Sequence, residues 1–371
     1  MNIIKDYDEV YEIVIVGAGP AGLSAGIVAG ELGAQTVIID ENPIPGGQLI
    51  KQTHKFFGSK ELYCGIRGID IPRLLVKNLQ SGKVKLKLNT SVIGYFKGNV
   101  LGVVTNGKFL KIYGKRIIFA TGAYENPLPF PNHDLPGVYG AGAVQTLMNV
   151  HGVLPGRRAL MVGSGNIGLI VSYQLVQAGV EVVAVVEITQ NISGWHVHAA
   201  KLRRLGVPIL VSHTIKCAFG KNSVEEVVIV KVDKKLRPIR GSEKRFKVDM
   251  ICLAVGLSPL TELVSQAGCK IIYIPELGGY LPWHNDFCET SNSTIFVCGD
   301  LAGIEEASTA ILEGRIAGAR AYQSLYGIDP KSNKIITEAQ EMLSEFRSGS
   351  YGKKILRGKQ ILKDHLFYET G

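Results

Sequence analysis

The sequence predicts an α/β fold of two Rossmann-like units, the second inserted into the first, followed by a helical C-terminal tail. Three observations predict it. A strand, glycine loop, helix, strand and acidic residue occur in that order twice, at 13–40 and at 159–187. Each copy is followed by short alternating runs that read as a small β-meander and end in a return strand and a glycine turn. A last strand, 294–298, has no glycine loop of its own, so it completes the first unit after the second has been inserted.

The first copy opens with Ile13–Val14–Ile15–Val16 and runs into Gly17–Ala18–Gly19–Pro20–Ala21–Gly22. A helical stretch reaches Leu32, Gly33 reads as its C-cap, and Thr36–Val37–Ile38–Ile39 ends in Asp40 and Glu41. The second copy opens with Ala159–Leu160–Met161–Val162 and Gly163–Ser164–Gly165–Asn166–Ile167–Gly168. Its helix reaches Ala178, Gly179 caps it, and the strand 182–186 ends in Glu187. Residues 83–119 read as the first meander, closing on Ala120–Thr121–Gly122, and 224–253 as the second, closing on Ala254–Val255–Gly256. The strand 294–298 runs into Gly299–Asp300, and a helix follows from about 305 to 322. The divisions are 1–125 for the first part of one domain, 126–260 for the inserted domain, 261–328 for the return, and 329–371 for the tail, an appended segment or docking element.

One GxGxxG is a weak signal. Two, each after a strand, before a helix and with an acid 23 or 24 positions on, form a strong one. Gly17 and Gly163 permit the tight turn, Gly19 and Gly165 let the backbone approach a diphosphate, and Gly22 and Gly168 let helix lie against strand. Pro20, Ala21 and Asn166 complete the helix starts, whose N–H groups and dipole favour an anion. Asp40 and Glu187 can each accept from a ribose hydroxyl. A carboxylate at 187, with no arginine between Ile188 and Gly194, disfavours a 2′-phosphate. Gly46–Gly47–Gln48–Leu49 lies where a flavin ring would reach, Thr121–Gly122 closes the return strand, and Asp300 can bind ribityl hydroxyls.

Composition narrows the function. Glycine, at 44 of 371 residues without a low-complexity run, is spent on turns and close approaches. The net charge of +9 is scattered, as at Lys83, Lys85 and Lys87 or Lys234, Lys235 and Arg237, without the basic–aromatic interleaving of a nucleic-acid strip. The six cysteines include no CxxC, against a zinc ribbon or a dithiol pair, and no metal site is expected. Asp6, Asp8 and Glu9 precede the first apolar run, unlike a signal peptide. No apolar stretch nears the ~18 residues of a membrane span. The expected place is the cytoplasm, or a membrane surface through a partner. His196 and His198, two apart, point to different faces of a helix. His54 and Lys55 could face a flavin or an interface, and no catalytic acid or base is assigned.

These residues resemble the pyridine nucleotide-disulfide oxidoreductase superfamily in its short thioredoxin-reductase-like layout. The matches are Gly17–Gly22, Gly46–Leu49, Ala120–Gly122, Gly163–Gly168 and Gly299–Asp300. The resemblance implies FAD in the first domain and NAD(H) or another adenine nucleotide in the second. The reductases carry a CxxC beside the flavin; its absence here argues against disulfide reduction. Glu125–Asn126–Pro127–Leu128–Pro129–Phe130–Pro131, Leu135–Pro136–Gly137–Val138, Gly142–Ala143–Val144–Gln145 and Gly303–Ile304–Glu305–Glu306–Ala307 are similar to one subfamily. It comprises the α subunits of heteromeric sarcosine oxidase, opine oxidase, hydrogen cyanide synthase and dye-linked proline or hydroxyproline dehydrogenases. That resemblance implies a second flavoprotein subunit that oxidises a C–N bond of an amine or imino acid. Some relatives hold NAD or ATP in this subunit or share an FMN across the interface. Larger members of that group add a cysteine-rich iron–sulfur region; no cysteine follows Cys298 here, so any such cluster sits on another polypeptide, such as a small iron–sulfur subunit, or is absent. The alternatives are a stand-alone NADH:acceptor flavoreductase and a non-catalytic nucleotide-binding scaffold. The carboxylate at 187 carries one prediction: titration calorimetry finds any NAD(H) binding at the second site at least about tenfold, 1.4 kcal/mol, tighter than NADP(H), and equal affinities would remove Glu187 from selectivity.

Overall fold

The computed structural model describes residues 7–79, 82–349 and 352–365. The chain divides into two compact units, one formed by the residues up to Tyr124 and from Ser258 onward, the other by Glu125–Leu257.

Unit 1 starts with β1 (Glu9–Val16), whose last four residues are buried, as expected of a parallel strand covered on both faces. Next come α1 (Pro20–Glu31), with Pro20 in the first turn where no N–H is needed, and β2 (Thr36–Ile39). A crossover through α2 (Ile71–Lys77) leads to β3 (Val84–Lys87), then β4 (Thr90–Phe96), β5 (Val100–Thr105) and β6 (Lys108–Phe119). Only β4–β6 form the antiparallel meander; β3 pairs parallel with β2. The reading of 83–119 as one meander is corrected here. Parallel pairing requires a crossover, which α2 supplies, and the alternation of Lys83, Lys85 and Lys87 looks the same in either kind of strand. β6 serves two sheets' worth of pairing: Lys108–Tyr113 pair antiparallel with β5, while Ile117–Phe119 pair parallel with the returning strand.

The chain leaves unit 1 along β7 (Ala123–Glu125). Unit 2 runs through β8 (Val138–Gly140), α3 (Ala141–Asn149), β9 (Arg158–Val162), α4 (Asn166–Gln177), β10 (Glu181–Glu187), α5 (His196–Arg204) and β11 (Ile209–Val211). It continues with β12 (His213–Phe219), β13 (Glu226–Lys231), β14 (Lys244–Lys247) and β15 (Met250–Leu253). A sheet ordered β11-β10-β9-β15-β8 carries the glycine loop, and β12-β13-β14 form the small sheet. That sheet begins at His213, earlier than the expected 224. Ser212, with φ of 55°, turns the chain from one sheet into the other between β11 and β12.

Unit 1 resumes through β16 (Leu257–Pro259), α6 (Glu262–Gln266), the hairpin β17 (Ile271–Ile274) and β18 (Gly279–Pro282), then β19 (Ile295–Val297) and α7 (Ala307–Tyr326). The tail is α8 (Pro330–Ser348) and α9 (Lys353–Asp364). Asp329 caps α8 by accepting from the N–H groups of Lys331 and Ser332 at 2.9 and 3.1 Å. Ile336, Ala339 and Leu343 of α8 are buried in the main core of unit 1, and Leu362 of α9 is buried with Ile272, Ile274, Leu277 and Leu281. The tail is therefore part of the core of unit 1.

Helices α1 and α7 meet along a seam of small residues. A methyl group at Gly314 would lie 2.2 Å from the carbonyl oxygen of Ala21, and one at Gly318 would lie 2.4 Å from that of Ala25. The i, i+4 spacing puts both glycines on one face. Gly318→Ala is predicted to cost about 1–3 kcal/mol through overpacking, read as a lower midpoint in urea unfolding; an unchanged midpoint would mean that the helices do not approach this closely.

Candidate functional site

The first glycine loop links the end of β1 to α1. Gly17 has φ of 106°, and a side chain there would sit 2.3 Å from the carbonyl oxygen of Ala120 at the end of β6. At Gly22 it would sit 1.8 Å from the carbonyl oxygen of Gly17. The Asp40 carboxylate, at the end of β2, accepts from the Ala18 N–H at 2.6 Å and from the Asn42 N–H and amide at 2.8 and 2.9 Å. A carboxylate has about four acceptor positions, so one is left for a hydroxyl. Gly46 then donates its N–H to the Ala18 carbonyl at 2.7 Å, bringing Gly47 against Gly19. Gln48 and Glu41 are exposed beside this loop. Thr121 donates its hydroxyl to the Leu260 carbonyl at 3.1 Å, and Gly122 accepts from the Leu260 N–H at 3.0 Å, pinning the return strand.

Unit 2 repeats this wiring. Side chains at Gly163 and Gly168 would sit 2.2 Å from the Ala254 carbonyl oxygen and 2.1 Å from that of Gly163. The Ser164 N–H donates to Glu187 at 3.0 Å, as Ala18 does to Asp40, and Gly194 donates to the Ser164 carbonyl at 2.8 Å, as Gly46 does to that of Ala18. The repeat thus extends to Ser193–Gly194–Trp195, which a sequence comparison of the glycine loops does not reveal. Trp195 donates its N–H to the Asn166 side-chain oxygen at 2.8 Å, and Gly165 lies directly beneath Gly194.

The two acids differ in their load. Glu187 accepts from the Ser164 hydroxyl at 2.6 Å and N–H at 3.0 Å, the Ser193 hydroxyl at 3.0 Å, and the Thr189 N–H and hydroxyl at 3.0 and 2.9 Å. The single Thr189 hydroxyl hydrogen is shared with the Asn191 carbonyl at 2.7 Å, so four full donors occupy the carboxylate's roughly four acceptor positions. Burial alone would raise this carboxyl, but the bonds from Ser164 and Thr189 hold it below the ordinary range. A ribose hydroxyl reaching Glu187 must displace a serine or threonine.

The third element is the turn Gly299–Ala302 after β19. Gly299 lies against Ala21 of the first loop, where a side chain would meet the alanine methyl at 2.9 Å. Asp300 keeps part of its surface open. Desolvation pushes its carboxyl up to about 7, helped by the charges of Glu313, Glu305 and Glu306 and opposed by the Glu305 N–H. α7 begins just after, closed by a capping box between Glu306 and Thr309.

Sequence reasoning missed several residues around these loops. Glu125 is one: its carboxylate accepts from the N–H groups of Gly142 and Ala143 at 2.6 and 3.2 Å, capping α3, whose own N-cap, Gly140, has no side chain to do so. A side chain at Gly140 would fall 2.3 Å from that carboxylate. Glu313 is another, a carboxylate directly after the apolar Ala310–Ile311–Leu312, and nothing in that local sequence marks it as buried. It accepts from the Gly299 N–H at 3.0 Å. His54 stacks near Phe56, with ring centroids 6.1 Å apart, and the backbone of Lys55 pairs antiparallel with that of Arg67. Among the described residues no His, Cys, Asp and Glu group suits a metal ion. Cys64 is exposed, Cys217 half-buried, and Cys252, Cys269, Cys288 and Cys298 are buried.

Residues 11–314 match the pyridine nucleotide-disulphide oxidoreductase family, and the chain belongs to it. It is 25% identical to an opine oxidase component from Agrobacterium tumefaciens (strain Ach5), over 98% of this chain and 74% of that one. It is 28% identical to the HcnB component of hydrogen cyanide synthase from Pseudomonas aeruginosa, over 91% and 77%, and 28% identical to the alpha component of sarcosine oxidase from Rhizobium meliloti (strain 1021), over 73% and 27%. The solved L-proline dehydrogenase of P. horikoshii superposes with a TM-score of 0.67 at 25% identity, over 90% of this chain and 59% of that one. The thioredoxin reductase of T. acidophilum superposes with a TM-score of 0.69 at 19% identity, over 85% and 99%, and shares the fold.

Among the described residues no helix is long and apolar enough to cross a membrane. For Asp300, the folded value lies above that of an unfolded carboxyl. The group therefore favours folding below about pH 4, and this contribution is lost as the pH rises through about 7. Asp300→Asn is predicted to raise the melting temperature of the cofactor-free chain at pH 8 and to leave it nearly unchanged at pH 4; equal shifts at both would place Asp300 in an ordinary aqueous setting.

Proposed function

Taking that family membership as the premise, we propose that this chain is the FAD-holding oxidoreductase subunit of a heteromeric amine or imino-acid dehydrogenase of the proline, hydroxyproline, sarcosine or opine type. The observation that carries the reading is the difference between the two loops. The first keeps an acceptor on Asp40 and is bordered by Gly46–Gly47 and by the Gly299–Asp300 turn; the second has Glu187 filled from within. The absence of a CxxC removes the dithiol that a disulfide reductase needs. The named relatives are subunits of opine oxidase, sarcosine oxidase and hydrogen cyanide synthase.

The residues fit an FAD. Gly17 and Gly22 let the loop turn and close on the backbone, a side chain at Gly19 would stand in open space with its nearest neighbour 4.0 Å away, and the start of α1 beside it, at Ala21, offers N–H groups to a diphosphate. Asp40 accepts from a ribose hydroxyl, Gln48 and Gly47 border the ring end, Thr121 and Gly122 hold the return strand, and Asp300 takes the ribityl chain. Bound flavin supplies the electron acceptor; this chain binds and orients it. The second loop, Gly163–Gly168 with Asn166, then holds an adenine nucleotide that need not react. A second flavoprotein subunit oxidises the amine, and a small iron–sulfur protein is a further partner, in the cytoplasm or at a membrane through those partners.

A stand-alone NADH:acceptor flavoreductase ranks second, because the named relatives are subunits of larger enzymes; a scaffold without flavin ranks third. One experiment separates them. The purified chain is predicted to be yellow, to release FAD on denaturation, and to stay oxidised for minutes under anaerobic NADH. Immediate bleaching would select the flavoreductase, and a colourless chain that takes up no FAD would select the scaffold.

A further inference from the structure

Deep in unit 1, four charged side chains from three helices and one loop meet at the underside of the Gly299–Ala302 turn. Glu313 of α7 is at the centre. One of its oxygens accepts from the Gly299 N–H at 3.0 Å. The other accepts from Arg347 of α8 at 2.8 Å and Lys359 of α9 at 3.2 Å. Arg347 also grips Glu305 with two bonds, at 3.0 and 2.6 Å. The side chains of Glu313, Arg347 and Lys359 are 7%, 14% and 12% exposed, so these are interior charges that must be paired.

Lys359 is fully spent. Its ammonium has three hydrogens, and they go to Glu313, to the Ala302 carbonyl at 3.1 Å and to His284 Nε2 at 3.2 Å. His284 accepts because burial, then the neighbouring Lys359 charge, push it down to about 3, leaving it neutral. Its Nδ1 hydrogen goes to the Pro282 carbonyl at 2.9 Å, which frees Nε2 as the acceptor. Lys359 thus holds the end of the turn at Ala302 while Glu313 holds its start at Gly299. α9 comes close enough because residue 358 is glycine: a side chain there would lie 2.6 Å from Leu277. The Trp283 indole N–H, bonded to the Leu362 carbonyl at 3.1 Å, fixes the helix on the other side.

We propose that the C-terminal tail is a working part of the cofactor site: Lys359 and Arg347, acting through Glu313, are positioning residues that hold the Gly299–Ala302 turn, and with it Asp300, in the form that receives FAD. This rests on the reading of unit 1 as the FAD unit. Coupling of this kind is reciprocal: if α9 shapes the turn, FAD must in turn steady α9.

The test uses the full wild-type chain, stripped of cofactor, in hydrogen–deuterium exchange with and without added FAD. Exchange across 353–364 is expected to slow at least fivefold on FAD addition, together with the glycine loop and the turn. Protection that stops at the loop and the turn overturns the proposal. Fluorescence titration supplies the second arm. Lys359→Met is expected to raise the Kd for FAD at least tenfold, with most of the loss recovered in Lys359→Arg and none incurred by Lys354→Met on the exposed face of α9. If Lys359→Met does not fold, Glu313→Gln takes its place, with the same expected loss. A folded variant of either kind that binds FAD like the wild type overturns the proposal. Failure of the wild-type chain to take up FAD would instead sink the reading of unit 1, and this proposal with it.

Discussion

A single buried carboxylate organises unit 1. Glu313 receives one backbone N–H from the turn after β19 and two cations from the C-terminal helices. An interior carboxylate left unpaired is costly, and removing either cation would leave Glu313 with only one. The requirement propagates outward. α8 must lie where Arg347 can reach both Glu313 and Glu305, and α9 must lie where Lys359 can reach three acceptors at once. In the same placement their apolar faces bury Leu343 and Leu362. Because Gly299 also abuts Ala21, the same carboxylate is tied to the first glycine loop through two residues.

The two units share one wiring diagram and differ in how the acid is used. In both, the residue after the first glycine donates its N–H to the acid and accepts from a glycine N–H in the loop that follows. The hydroxyls of 164 and 193 and the N–H groups of 164 and 189 saturate Glu187, whereas alanine at 18 and asparagine at 42 leave Asp40 an open acceptor. A fold that keeps its geometry while changing side chains at a few positions can separate binding from redox exchange within one chain.

The connecting segments that mark the subfamily have a physical role of their own. Glu125 and the Gly140–Gly142 stretch are distant in sequence, yet the carboxylate serves as the cap that α3 lacks, and the two glycines leave room for it. Each segment would be unremarkable alone; together they make one interaction.

What the sequence determined by itself was periodic or local. Both glycine loops, their strands and helices, the acids 40 and 187, and the strand running into Gly299–Asp300 were legible because hydrophobic period and turn chemistry depend on neighbouring residues. Tertiary structure decided the rest. Whether Val84–Lys87 joins a parallel or an antiparallel neighbour depends on a crossover rather than on its own alternation. Ser212 passes the chain from one sheet to another through a backbone angle that serine does not announce. The tail, polar enough to read as appended, is drawn into unit 1 because Arg347 and Lys359 find a buried acid up to 46 residues away. The load on Glu187 likewise comes from hydroxyls that only folding brings to it. Pairing of charges and saturation of acceptors are set by distance in space, and spacing along the chain does not encode that distance.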